Sequence, residues 1–117
     1  MRLLALKDAA AMDAILPSAP PSVRKLDVAV LHALVFERLL GLSSATLKER
    51  DLVEYTIDAS AALADVKQGR AAAAFLLNAP QIADIEAVSD AGATMPEKST
   101  YFYPKLLTGL VMNPLDD

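Results

Sequence analysis

The densest chemistry in the sequence runs from Lys98 to Lys105. Lys98, Ser99, Thr100, Tyr101, Phe102, Tyr103, Pro104 and Lys105 bring four hydroxyls and two ammonium groups into eight consecutive residues. In an extended strand Ser99, Tyr101 and Tyr103 face one way and Thr100 and Phe102 the other, so hydroxyls line one face beside the lysines. Directional O–H donors next to mobile point charges suit a phosphate or a carboxylate. The same residues also describe an aromatic edge strand, with rings packed, tips hydrogen-bonded and lysines guarding against unwanted pairing. Residue types alone leave both readings open.

The remaining inventory is thin. With no cysteine, four glycines and one histidine, thiol chemistry, thiolate metal sites, phosphate loops, dinucleotide fingerprints and HExxH motifs are all excluded. A metal centre would have to be built from carboxylates, and none is expected. His32 sits inside the most apolar helix-like stretch, where an imidazole bonded to a carbonyl or carboxylate is the ordinary arrangement. Asp8, Asp58 and Asn78 each fall just before an expected helix, where a short polar side chain satisfies free N–H groups. Capping accounts for all three. No catalytic residue is assigned.

The elements that must position the Lys98–Lys105 block can be sketched from periodicity. Arg2 to Lys7 reads as a Leu-rich strand and Ala9 to Leu16 as a helix capped by Asp8. Together they make a small N-terminal βα piece, residues 1–16, before a proline-rich linker at 17–21. Val28, Leu31, Val35 and Leu39 recur at helical spacing from Leu26 to Leu40, and Gly41 stops that helix. Ser43 to Arg50 is a polar connection with room for a helical turn. Val53, Tyr55 and Ile57 alternate with Glu54, Thr56 and Asp58, the pattern of a strand wet on one face. Asp58 then caps a helix closed by Gly69, and Ala73 to Leu77 is a short apolar run suited to a central strand. A helix opens at Asn78 and Pro80 and ends at Gly92. Beyond the turn at Met95 and Pro96 come β-like runs at Ser99–Tyr103 and Leu107–Met112. The expected class is therefore α/β, with α+β as the alternative: one domain over residues 1–117, holding a mixed sheet of about four to five strands. A βαβα unit at 52–92 crosses over right-handed, and helices pack on the sheet.

Composition narrows the partners. The chain has 117 residues, 54% of them hydrophobic and 22% charged, with 15 acidic and 11 basic side chains and a formal net charge of −4. The basic residues are scattered rather than gathered into a stripe, which argues against nucleic acid. The start loses its apolar run at Lys7, too early for a signal-peptide core, and no apolar stretch approaches the ~20 residues of a membrane span. A soluble, cytoplasmic protein is expected.

From Met95 through Met95-Pro-Glu-Lys-Ser-Thr-Tyr-Phe-Tyr-Pro-Lys-Leu-Leu-Thr-Gly-Leu-Val111, the sequence closely resembles the end of the bacterial and archaeal domain-of-unknown-function family 1015. The similarity reaches more weakly back through Phe75-Leu76-Leu77-Asn78 to the Asp27–Gly41 helix. It departs where Ala79 separates Asn78 from Pro80, which the family places side by side. The family is uncharacterised and its typical members are several times longer. They carry an ADGHHR-like motif, similar to the catalytic and nucleotide-contacting element of the ParB and serine-kinase group, that has no counterpart here. The resemblance implies a C-terminal accessory portion of a longer protein, not active as an enzyme alone. It would help complete a nucleotide- or phosphoamino-acid-binding site through Lys98, Ser99, Thr100, Tyr101, Tyr103 and Lys105. The alternative is a structural module with no ligand, docking on an N-terminal domain of the same family or on a second copy. No cofactor is specified by either reading.

Overall fold

The computed structural model describes residues 1–101, and these form helices joined by irregular segments. In chain order they are α1 (Ala10–Ile15), α2 (Pro21–Arg24) and α3 (Asp27–Val30), which runs straight into a π-helix (Leu31–Leu39). There follow α4 (Ser44–Glu49), α5 (Ala59–Lys67) and α6 (Ile82–Asp90).

Side-chain chemistry sets the helix ends. Asp8 Oδ1 accepts the Ala10 N–H at 2.9 Å at the head of α1, and Asp58 Oδ1 accepts the N–H groups of Ser60 and Ala61 at 2.8 and 3.0 Å at the head of α5. Ser43 does the same for α4 through the Thr46 N–H at 3.2 Å. The proline-rich connector ends by starting α2, with Pro21 at the first helical position, where its missing N–H costs nothing. At the other ends, α5 and α6 each close on a left-handed glycine, Gly69 at φ 74 and Gly92 at φ 65. Beyond them the Arg70 N–H returns to the Asp65 carbonyl and the Ala93 N–H to the Val88 carbonyl. Both are Schellman closures, which satisfy carbonyls the helix leaves free.

The Leu26–Leu40 helix of the sequence is present, but as α3 followed by nine residues of wider π winding. The Leu40 N–H reaches back to the Val35 carbonyl at 3.0 Å, and the Leu42 N–H to Phe36 at 2.8 Å. Long π runs are rare. Here the winding buries Ala33 and Phe36 while leaving Leu39 and Leu40 exposed.

The expected α/β fold is overturned: among the described residues there is no strand, so the mixed sheet and its βαβα unit at 52–92 are not formed. Of that unit only the two helices, α5 and α6, remain. Arg2–Lys7, Val53–Ile57, Ala73–Leu77 and the beginning of Ser99–Tyr103 are irregular, and Leu107–Met112 lies outside the described residues. The physical reason is that alternation states which faces a strand would have, whereas a strand exists only through a ladder with a neighbour. None of these segments finds one. Ala73–Leu77, expected to be covered on both faces, leaves Phe75, Leu76 and Leu77 exposed at 40%, 50% and 46%. The expected helix start at Asn78 also moves: α6 begins at Ile82, where the Gln81 N–H donates to Asp84 Oδ2 at 3.1 Å. Asn78 therefore caps nothing.

The core is small. Leu26, Ala29 and Val88 form its centre, with Leu16, Val23, Val28, Ala93 and Met95 packed around them, so α2 and α3 close against α6. Met12 on α1, at 1% exposure, and Val88, at 0%, are the most enclosed side chains. Ion pairs brace this packing: Arg24 to Asp13 at 2.9 Å joins α2 to α1, and Lys25 to Asp84 at 2.8 Å joins the end of α2 to the first turn of α6. Many large apolar side chains among the described residues stay open, Leu3, Leu39, Ile57 and Ile82 at 70% exposure or more among them.

Candidate functional site

Of the Lys98–Lys105 block the structure describes Lys98 to Tyr101. Its first residues close a turn: the Ser99 N–H and the Ser99 hydroxyl both donate to the Pro96 carbonyl, at 3.2 and 2.6 Å. The Ser99 hydroxyl is thus spent within the turn. Lys98 occupies the left-handed region at φ 59, a conformation that costs an L-residue with a Cβ roughly 1–2 kcal/mol. Its side chain is exposed, Thr100 is half-buried and Tyr101 is exposed. Beside them Glu97 pairs with Lys48 at 3.6 Å, so a carboxylate stands next to the expected anion donors. Tyr103 and Lys105 lie outside the described residues.

Elsewhere the chain brings together groups that the sequence kept apart. His32 meets Phe36 edge-on, ring centres 5.2 Å apart, and Phe36 meets Phe75 edge-on at 5.3 Å. This chain of rings carries the apolar 71–80 segment onto the π-helix. Burial among these rings lowers the His32 pKa from its ordinary 6.5, so the imidazole is neutral at pH 7. A hydrogen bond from Asn78 Nδ2 to Asp27 Oδ2, at 2.9 Å, fixes the far end of the same segment to the head of α3. Between α1 and the π-helix lies a shallow groove of about 250 Å³, lined by Ala14, Ile15, Ala33, Glu37 and Arg38. Ala14, Ile15 and Ala33 form its apolar wall, and Glu37 and Arg38 its polar one. No group of three metal-ligating side chains converges among the described residues, and none of their helices is long and apolar enough to cross a membrane.

The exposed run Phe75-Leu76-Leu77 is the feature that the residue inventory missed. Its apolar character was legible, but its exposure was not. One signal was available: residues 71 to 80 contain no charged side chain, although a solvent-facing segment ordinarily carries some.

No family model, no curated protein and no solved structure matches this chain. The comparisons lend the family resemblance drawn from the sequence no support.

Proposed function

We propose that this chain is an interaction module, held together by a small helical core and completed by docking its open apolar surface on another protein surface. The observation that carries this reading is the set of large apolar side chains left open among the described residues, Leu39, Leu40, Ile57, Phe75, Leu76 and Ile82 among them. Burying apolar surface releases roughly 25 cal/mol per Å², so exposed apolar side chains in number mark a docking surface. We place this in the cytoplasm, in keeping with a chain free of cysteine.

The test is binding of a hydrophobic dye by the full chain, followed by titration with candidate covering surfaces. Strong dye binding that a docked partner displaces supports the module. A chain that binds no dye refutes it.

A second reading is favoured by one observation: Lys98 is exposed and enters no ion pair among the described residues. In that reading the chain supplies one wall of a pocket for a nucleotide or a phosphoamino acid. Thermal shift with ATP, ADP and phosphoserine tests it, with Lys98→Ala and Lys105→Ala as controls. A shift that survives both substitutions removes the block from the site.

A further inference from the structure

Leu26, Ala29, Ala33 and Phe36 are all buried, at 5%, 7%, 7% and 6% exposure, and they follow one another at steps of three, four and three residues. The next step of four falls on Leu40, which is 54% exposed. At about 100° per residue, the turn of an α-helix, all five side chains lie within an arc of about 80°. The pattern therefore suits an unbroken α-helix with a single buried stripe from Leu26 to Leu40.

The observed winding departs from that pattern part-way along. Up to Leu31 the bonds are α-helical: the Val30 N–H reaches the Leu26 carbonyl at 3.0 Å and the Leu31 N–H the Asp27 carbonyl. At the far end the Leu40 N–H bonds Val35, five residues back instead of four, at 3.0 Å. A π turn advances each side chain by a smaller angle than an α turn, so the shortfall grows along the nine residues of Leu31–Leu39. Ala33 is displaced little, Phe36 further and Leu40 furthest, into solvent. The packing follows suit. Leu26 and Ala29 cluster with Val88, whereas Phe36, although buried, lies outside that cluster and meets Phe75 edge-on at 5.3 Å. Phe75 belongs to the apolar 71–80 segment, whose other tether is the Asn78 bond to Asp27.

We infer that Leu31–Leu39 is a two-position switch: π winding turns Phe36 onto Phe75 and holds the 71–80 segment in place, and rewinding to α returns Phe36 and Leu40 to the Leu26 stripe and releases it. Each winding satisfies a different set of apolar side chains. The π form gains the contact between the two phenyl rings and leaves Leu40 open; the α form covers Leu40 and gives up that contact. The backbone exchange is small, because the Leu40 N–H trades the Val35 carbonyl for that of Phe36, which in the π form accepts the Leu42 N–H at 2.8 Å. Two packings of one segment that differ by so few bonds make a bistable element, and π turns within helices recur at functional sites. The switch acts on the 71–80 segment whether or not that segment docks on anything.

Hydrogen-bond scalar couplings measured by NMR on the full chain test this, since each N–H is correlated with the carbonyl it bonds. In the native chain the Leu40 N–H should couple to Val35, and nitrogen-15 relaxation should show residues 72 to 79 as ordered as α6. Phe75→Ala takes away the ring that holds the π form, so the Leu40 coupling should move to Phe36 and residues 72 to 79 should lose their order. Asn78→Ala cuts only the second tether and should keep the Val35 coupling. Leu40→Lys alters a side chain that is open in the π form, so alone it should change neither coupling nor order; combined with Phe75→Ala it should prevent the move to Phe36. A native chain in which Leu40 couples to Phe36, a Phe75→Ala chain that keeps the Val35 coupling or shows neither, an Asn78→Ala chain that rewinds, or a double variant that rewinds as Phe75→Ala does each overturns the proposal.

Discussion

Replacing Val88 with alanine probes the assignment of a single small core. Val88 is fully enclosed and touches the Leu26 and Ala29 cluster that joins α6 to α2 and α3. The substitution removes two buried carbons, about 1.6 kcal/mol at roughly 0.8 kcal/mol each. A cavity of about 50 Å³, if the helices do not collapse, adds about 1.2 kcal/mol at ~24 cal/mol per Å³. The expected loss is therefore about 2–3 kcal/mol, and for a domain of this size it lowers Tm by roughly 8–12 °C. Ile57→Ala is the matched control. Ile57 is 77% exposed, and its truncation should change stability by no more than about 0.5 kcal/mol in the isolated chain. Urea unfolding followed by circular dichroism reads both. If Val88→Ala costs under about 1 kcal/mol, or Ile57→Ala costs as much as it does, the core lies elsewhere and the exposed surface has been misassigned.

Two further outcomes can be measured in the same way. Asp58→Ala removes the acceptor for two N–H groups at the head of α5 and should cost about 1 kcal/mol, with Asp58→Asn recovering most of it; an Ala variant as stable as the native chain refutes the cap. Acid should destabilise the protein in two steps, because both shifted groups have folded pKa values below their unfolded ones. His32, lowered from 6.5 by burial, contributes stability that is present above that value and lost as pH falls below it. Asp84 is lowered from 3.8, first by its hydrogen bond with Lys25 and then by the Gln81 N–H. Its contribution is present above 3.8 and fades as pH drops through its folded value. His32→Phe should flatten the upper step and Asp84→Asn the lower one; a stability curve unchanged by both would contradict these environments.

What the sequence determined by itself is local. Asp8 and Asp58 as caps, Gly69 and Gly92 as helix ends and the helical run from Leu26 to Leu40 were all readable, because each depends on groups within a turn of one another. The same holds for the absence of thiol chemistry, which follows from counting. Tertiary structure decided everything that needs a distant partner. The alternation at Val53–Ile57 and the apolar run at Ala73–Leu77 each fit a strand, yet a ladder requires a second strand whose position no periodicity encodes. Asn78 looked like a cap and instead reaches across to Asp27, fifty-one residues away. Ser99 looked like a ligand donor and is consumed by Pro96 in a turn. Hydrophobic pattern tells which side chains seek cover; only the packed chain shows which of them found it, and here Val88 did while Phe75, Leu76 and Leu77 did not.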